Sequence, residues 1–139
     1  MKLCILGGGL TGLSLAKSLV KKGLSIDIFL NKKKSDFNRS RTIGISNDNL
    51  MYFNKEILDI KKLFWDIKKI EIYSDNLRNE KILNFENNNK TVFAIIRNYQ
   101  LQSKLLKSLK KDKLCKFKQN FDYNLSNLKK YKLIINCEN

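Results

Sequence analysis

The spacing of apolar and polar positions divides the first thirty residues of the chain into three elements. Apolar runs at residues 3–6 and 26–30 are typical of strands that are buried on both faces of a parallel sheet. Between them, apolar residues recur every three or four positions from Leu10 to Val20, which predicts an amphipathic helix. Gly23 stands where the C-cap of that helix is expected. The pattern therefore predicts a β-α-β unit.

The next part of the chain combines a short strand with a helical segment. Residues 42–46 form an apolar strand, and residues 47–63 carry apolar positions at helical spacing. They predict one or two short helices, for which Ser46 or Asn47 is a suitable N-cap. We expect the aromatic pair Phe64–Trp65 to pack at an edge of the core.

After residue 65 the period changes, and we expect an antiparallel excursion over about residues 66–97. Strands are predicted at residues 67–73, 82–85, 91–96, 114–117, 121–123 and 132–136, with a short turn or helix at 125–130. Asn98 is the expected N-cap of a helix that continues to Lys111. The last predicted strand is not followed by the helix that normally covers a parallel sheet. The pattern thus predicts an α/β fold with a Rossmann-like β-α-β unit and an antiparallel excursion, incomplete at its C-terminus.

The turn between the first strand and the first helix has the sequence G-x-G-x-x-G, formed by Gly7, Gly9 and Gly12. In such a unit the first glycine permits a tight turn, and the second lets the backbone approach a pyrophosphate. The third leaves room where the helix packs against the strand. The helix N-terminus, at Leu10 and Thr11, presents free N–H groups and the positive end of its dipole to the phosphates. We therefore predict dinucleotide binding, with glycines that serve packing alone as the alternative.

A dinucleotide-binding unit usually carries an acidic residue at the end of its second strand, where it binds a ribose hydroxyl. Here that position falls on Leu30 or Asn31. Asn31 can form a hydrogen bond with a hydroxyl but carries no charge. Asp27 lies in the middle of the strand, so its side chain is directed elsewhere along the pleat. We expect the cofactor to be bound less firmly than in a unit with the acid.

Composition excludes several other classes of function. The net charge of +15 comes from lysines in short runs spread along the chain, together with abundant asparagine and isoleucine. This is typical of a compositional bias and not of a nucleic-acid-binding surface, although a basic surface favours contact with anionic lipid. The chain has no histidine, and its three cysteines lie far apart. We therefore expect no metal site and no histidine-based catalysis, and reduced thiols in a cytoplasmic protein.

Several segments together resemble a known family, the FAD-dependent aromatic-ring hydroxylases of ubiquinone biosynthesis, within the flavoprotein monooxygenases. They are the glycine turn, the R-T-I-G-I-S segment at residues 41–46, the R-N-Y-Q-L segment at residues 97–101, and the strand at residues 133–137. The resemblance covers the whole chain but only the N-terminal part of such an enzyme. It implies that residues 1–139 are part of the FAD-binding domain, with the antiparallel excursion directed toward a substrate domain.

The resemblance also implies a cofactor, a reaction and a set of binding residues. FAD would be the cofactor, NAD(P)H the electron donor, and a prenylated phenolic ring the substrate that is hydroxylated. Arg41, Arg97 and Gln100 correspond to positions near the FAD, and join the glycine-turn residues and Asn31 as candidate cofactor-binding residues. No residue is assigned a catalytic role. The chain departs from the family pattern at Arg39, where the family has an acid, and at residues 138–139, where it has Asp-Gly.

Two alternatives come from other functional classes. One is a non-catalytic relative that acts as a scaffold subunit in a quinone-synthesis assembly. The other is an NAD(P)-binding reductase module, in which the lysines at residues 32–34 could bind a 2′-phosphate. We expect the 139-residue chain alone to be inactive. Its expected location is cytoplasmic, with a peripheral contact to the inner membrane or to a quinone-synthesis complex.

Overall fold

The chain folds into strands and helices in an order close to that predicted. The computed structural model describes residues 2–30, 39–75, 80–88, 90–119 and 129–138. The strands are β1 (Lys2–Leu6), β2 (Ser25–Leu30), β3 (Thr42–Ser46), β4 (Phe64–Ile67), β5 (Lys69–Tyr73), β6 (Lys81–Glu86), β7 (Phe93–Arg97), β8 (Cys115–Gln119) and β9 (Leu133–Asn136). The helices are α1 (Leu10–Lys21), α2 (Asn47–Tyr52) and α3 (Asn98–Lys110), and a π-helical turn, Phe53–Ile57, follows α2.

A four-stranded parallel sheet of order β8-β2-β1-β9 forms the centre of the fold. Leu3 to Leu6 of β1 are all buried, as the unbroken apolar run predicts. Gly23 (φ 79°) directly follows the C-cap of α1 at Lys22, and the Leu24 N–H donates to the Leu19 carbonyl, which ends the helix in a Schellman motif. The predicted β-α-β unit and the mixed α/β fold are therefore confirmed.

The two longer helices, α1 and α3, pack against each other, and their apolar sides belong to the same core as the sheet. The buried residues of α1 are Gly12, Leu13, Ala16 and Val20, and those of α3 are Leu101, Leu105 and Leu109. This spacing is the one expected for amphipathic helices that cover a sheet. Among the described residues, no helix has the length and apolar character needed to cross a membrane.

The segment between β2 and α3 is antiparallel, as predicted, but its division into strands differs. The predicted strand at 67–73 is two strands in different sheets: β4 pairs with β7, which also pairs with β3, whereas β5 pairs with β6. The predicted helical segment at 47–63 is also shorter than expected. Ser46 does cap α2 by accepting a hydrogen bond from Asn49, but helical structure ends at Ile57. The Asn54 side chain accepts a hydrogen bond from the Ile60 N–H (2.7 Å), which holds the chain in a turn there.

The β5–β6 hairpin has one apolar and one polar face. Its register places Ile70 opposite Phe85 and Ile72 opposite Leu83, so these four side chains share one face of the ribbon. On the other face, Glu71 forms ion pairs with Lys69 and Lys81. Ile72, Leu83 and Phe85 remain exposed in the structure.

The prediction that Asn98 caps α3 is wrong. The N-cap is Arg97, which makes no side-chain capping bond, and Asn98 is the first residue of the helix. The reason is the end of β7: the Asn98 N–H donates to the Arg41 carbonyl (3.0 Å), so strand pairing continues up to the first helical residue. The predicted strand at 121–123 and most of the predicted turn at 125–130 lie outside the described residues, as do residues 31–38.

A buried carboxylate organises the face of the parallel sheet opposite the helices. Asp27 of β2 is fully buried, and its Oδ2 accepts a hydrogen bond from the Tyr131 hydroxyl (2.7 Å). The ammonium groups of Lys118 (2.7 Å) and Lys2 (3.0 Å), from the neighbouring strands β8 and β1, bind the same oxygen. Burial alone would raise the pKa of Asp27, but these three hydrogen bonds together lower it below its ordinary value. The carboxylate therefore remains charged and ties three strands together.

Burial of the same cluster affects two neighbouring groups. Desolvation, followed by the charge of Asp27, raises the pKa of the Cys4 thiol to about 11. Burial and the hydrogen bond to Asp27 raise the pKa of Tyr131 above its ordinary value. Both groups are thus neutral at physiological pH, and Cys4 behaves as a small apolar residue.

Replacing Asp27 with Asn should lower the free energy of unfolding by about 2 kcal/mol at neutral pH, because Lys2 and Lys118 lose their charged partner. The folded-state pKa of Asp27 is lowered, so the contribution of its charge is complete above the unfolded-state pKa. That contribution is lost as the pH falls through the folded-state pKa. Urea unfolding should therefore separate D27N from the unaltered chain at pH 7, and the difference should shrink below about pH 4.

The matched control is Glu71→Gln on the β5–β6 hairpin. Hydrogen bonds from Lys81 and Lys69 lower the pKa of Glu71 to about 2, but ion pairs at a protein surface contribute little to global stability. The E71Q midpoint should equal that of the unaltered chain. Identical unfolding curves for D27N and the unaltered chain at pH 7 would contradict the role assigned to Asp27.

Candidate cofactor-binding site

The glycine turn joins β1 to α1 by a close approach of three backbone segments. Gly7 has φ of 107°, a conformation that favours glycine, and a Cβ added there would lie 2.8 Å from the Cys137 carbonyl oxygen. A Cβ at Gly12 would lie 2.5 Å from the Gly7 carbonyl oxygen. Both positions therefore require the absence of a side chain. This steric requirement explains why the first and third positions of the G-x-G-x-x-G motif are glycines.

Gly9 differs from the other two glycines of the motif because its surroundings are open. No heavy atom lies within 4 Å of a Cβ added at Gly9. Its backbone angles (φ −72°, ψ 176°) are ones that any residue can adopt. The fold itself therefore does not require glycine there. The absence of a side chain at this exposed position leaves the backbone of the turn accessible to a ligand.

The N-terminus of α1 lies beside this open position, and no side chain in the described part of the chain caps it. Gly9 is its N-cap and has no side chain to accept a hydrogen bond, and no acidic residue lies in the first turn. The first intrahelical bond runs from the Leu13 N–H to the Gly9 carbonyl (3.0 Å). The N–H groups of Leu10, Thr11 and Gly12 therefore precede the intrahelical ladder, and the helix dipole makes this end positive. Such an end binds an anionic group well.

A side chain of helix α3 also reaches the glycine turn. The Gln102 side-chain amide donates a hydrogen bond to the Gly8 carbonyl (2.8 Å), which links residues that are 94 positions apart in the sequence. Sequence reasoning missed this residue. No local pattern indicates it, because its partner Gly8 lies far away in the sequence.

The backbones of the two predicted arginines lie on neighbouring chain segments where β3, β7 and the start of α3 meet. Arg97 ends β7 and pairs in register with Thr42, and the Arg41 carbonyl accepts the Asn98 N–H. The Arg97 guanidinium carbon lies 5.1 Å from the centroid of the Trp65 ring, a cation–π contact. The expectation that the pair Phe64–Trp65 packs at a core edge holds for Phe64, which packs against the core. It is wrong for Trp65, which is half exposed.

Two amides lie at the start of α3 near these arginines. Gln100 is half-buried, and its side-chain amide donates to the Tyr99 hydroxyl at 3.4 Å. The Asn98 Oδ1 atom is buried without a hydrogen-bond partner among the described residues. Because buried polar atoms are normally paired, this oxygen marks a place where a bound group or water can donate a hydrogen bond.

The structure thus brings the candidate residues into two groups that α3 connects. The first is the glycine turn with Leu10 and Thr11, and the second is formed by Arg41, Arg97 and Gln100. Asn31 lies outside the described residues. Leu30, the last residue of β2, lies against Gly8 and supplies no hydrogen-bonding side chain. The described end of β2 therefore offers no carboxylate for a ribose hydroxyl.

Among the comparisons with known proteins, the one with solved structures finds proteins of similar fold. No model of a known protein family and no curated protein matches the sequence. The p-nitrophenol 4-monooxygenase PnpA of Pseudomonas putida matches 85% of this chain, at 15% identity and a TM-score of 0.68. PqsL of Pseudomonas aeruginosa, a probable FAD-dependent monooxygenase, matches 91% at 12% identity and a TM-score of 0.69. HpxO of Klebsiella pneumoniae, solved with FAD and uric acid, matches 84% at 19% identity and a TM-score of 0.61.

These matches are confined to part of each neighbour. The chain covers 31% of the P. putida enzyme, 36% of PqsL and 30% of HpxO, and thus spans about a third of the length of the structures it matches. Identities this low reveal a common fold and not a common activity. The chain therefore has a fold that is found in part of the FAD-dependent monooxygenases.

Replacing Gly12 with Ala should lower the free energy of unfolding by about 2 kcal/mol, because the new methyl group would collide with the Gly7 carbonyl oxygen. Gly9→Ala is the matched control, since it makes the same chemical change where nothing lies within 4 Å. It should change the free energy of unfolding by less than about 1 kcal/mol. Urea unfolding followed by circular dichroism measures both variants, and equal losses in the two would contradict the packing role of Gly12.

Proposed function

We propose that this chain is the FAD-binding portion of a flavin-dependent monooxygenase that hydroxylates an aromatic ring. The observation that carries the proposal is the exposed, uncapped N-terminus of α1 beside Gly9. It lies at the edge where the parallel strands end, the position at which such sheets bind their ligands. The similarity of the fold to part of a p-nitrophenol 4-monooxygenase, of a probable FAD-dependent monooxygenase and of a protein solved with FAD and uric acid supports the same conclusion.

The residues present fit the pyrophosphate of FAD. In this proposal the N–H groups of Gly9, Leu10 and Thr11 bind phosphate oxygens, because they have no partner among the described residues and lie at the positive end of a helix dipole. Gly7 and Gly12 position that helix end. The positive charges of Arg41 and Arg97 attract the anionic cofactor. Asn31 and Gln100 remain proposed ligands for its hydroxyl and carbonyl groups.

The flavin supplies the redox and oxygen chemistry when it is bound, and the protein supplies binding and orientation. The chain's contribution in the described region is therefore positional. Leu30 shields the Gly8 side of the turn from water, and α3 fixes the distance between the turn and the two arginines. We assign no catalytic acid or base to the chain.

A finer proposal concerns the substrate. The R-T-I-G-I-S and R-N-Y-Q-L segments resemble those of hydroxylases of ubiquinone biosynthesis, which supports a prenylated phenol as the substrate and NAD(P)H as the reductant. Such a substrate partitions into membranes, and the net charge of +15 favours peripheral contact with anionic lipid or with a quinone-synthesis complex.

A titration of the whole chain with FAD tests the cofactor assignment. Trp65 is the only tryptophan, and its contact with Arg97 makes its fluorescence sensitive to events at the arginine pair. We expect saturable quenching with a dissociation constant in the micromolar range or weaker, because the chain spans about a third of its structural neighbours. Arg41→Leu should weaken binding about tenfold through the loss of a charge-assisted contact.

The matched control is Arg39→Leu, which removes the same charge two residues away. FAD carries negative charge and the protein is strongly basic, so part of any binding is non-specific attraction that both variants share. Equal effects of R41L and R39L would contradict a specific role for Arg41. Absence of saturable FAD binding, combined with saturable NADPH binding, would replace this proposal with the reductase alternative.

A further inference from the structure

Helix α3 contacts the glycine turn through one side chain, and that contact determines the orientation of a peptide group. The Gln102 amide donates to the Gly8 carbonyl at 2.8 Å. In a trans peptide the carbonyl and the following N–H point in opposite directions because the group is planar. Fixing the Gly8 carbonyl toward Gln102 therefore fixes the Gly9 N–H in the direction away from α3.

The Gly9 N–H is also available. Gly9 is exposed, and its N–H has no hydrogen-bond partner among the described residues, whereas its carbonyl accepts the first bond of α1. No heavy atom lies within 4 Å of a Cβ added at this position, so a ligand can approach the backbone. The N–H is therefore an exposed donor beside the free N–H groups of the first turn of α1.

The opposite orientation of this peptide would be unfavourable for an anion. Glycine tolerates a wide range of backbone angles, so the turn between β1 and α1 has few intrinsic barriers to rotation of the Gly8–Gly9 peptide. A rotated peptide would present the Gly8 carbonyl oxygen, with its partial negative charge, near a phosphate. A hydrogen bond from Gln102 favours the orientation that presents a donor instead.

We infer that Gln102 is a positioning residue, which holds the Gly8–Gly9 peptide so that the Gly9 N–H faces the pyrophosphate of a dinucleotide. The inference rests on the proposed function, and adds a residue that acts through the backbone of the turn without touching the cofactor. It also couples the two groups of candidate residues, because Gln102 and Gln100 belong to the same end of α3.

Two substitutions separate the hydrogen bond from the shape of the side chain. Gln102→Met keeps a long unbranched side chain but removes both N–H donors, whereas Gln102→Lys restores a donor on a flexible chain. Lys107→Met, at an exposed position of the same helix, is the control for a polar-to-apolar change. The thermal unfolding midpoint of each variant shows whether the fold is retained, so that a lost fold is not mistaken for a changed orientation of the Gly8–Gly9 peptide.

The first measurement uses the isotope-labelled chain without ligand. In the unaltered protein we expect a scalar coupling between the Gln102 side-chain nitrogen and the Gly8 carbonyl carbon. The Gly8 carbonyl and Gly9 amide resonances should shift in Q102M and should not shift in K107M. Unchanged Gly8 and Gly9 resonances in Q102M would overturn the inference without affecting the proposed function.

The second measurement is a titration with ADP, which carries the pyrophosphate of the dinucleotide. We expect Q102M to bind ADP about 3- to 10-fold more weakly than the unaltered chain, as for the loss of one hydrogen bond, and Q102K to recover part of that loss. Equal ADP affinity of Q102M and the unaltered chain would overturn the positioning role. If the unaltered chain binds neither ADP nor FAD although the Gln102–Gly8 coupling is present, the proposed function is wrong, and the inference with it.

Discussion

The close approach of three backbone segments at the end of β1 is the constraint on which the rest of this structure depends. A Cβ at Gly7 would collide with the Cys137 carbonyl, and a Cβ at Gly12 would collide with the Gly7 carbonyl. The Cys137 N–H donates to the Leu6 carbonyl at 2.8 Å. A side chain at either glycine would separate β1 from α1 or from β9. The first helix, the first strand and the last strand can therefore meet only because two residues lack a Cβ. This contact directs the N-terminus of α1 to the edge of the sheet, where its free N–H groups are exposed.

Long-range contacts then build the remainder of the site around that helix end. The antiparallel sheet β3-β7-β4 delivers Arg97 and the start of α3 to the same junction as Arg41, and α3 returns to the glycine turn through Gln102. Helix α3 thus links the exposed N-terminus of α1 to the segment that carries Arg41 and Arg97. Asp27 serves a different purpose on the opposite face, where its single carboxylate oxygen ties β1, β2 and β8 together through Lys2, Lys118 and Tyr131. The site and the charge cluster occupy separate regions of one sheet.

Local patterns predicted much of the fold, because the elements that carry it obey short-range rules. The apolar runs of β1 and β2, the helical spacing of α1 and α3 and the glycine motif depend on neighbouring residues alone, and each is found where expected. The division of residues 64–73 into two strands depends on which partner each half meets, and β7 and β6 lie far along the chain. Asn98 fails as a cap for a similar reason, since Arg41 already accepts its N–H. Gln102 and the partners of Asp27 were missed because their contacts join residues distant in sequence, which no periodicity encodes.

The two-faced β5–β6 hairpin has a consequence for the behaviour of the protein in solution. Three side chains of its apolar face are exposed, and among the described residues no third strand pairs with the ribbon, so its outer edges can pair with a similar strand of another molecule. Electrostatic repulsion opposes such pairing. Each molecule carries a net charge of +15, so two copies repel one another before their edges can meet. That repulsion extends over only about 10 Å at 0.1 M salt and about 3 Å at 1 M. The abundance of lysine therefore acts as a colloidal stabiliser, and concentrated salt removes the barrier that keeps exposed hairpins of different molecules apart.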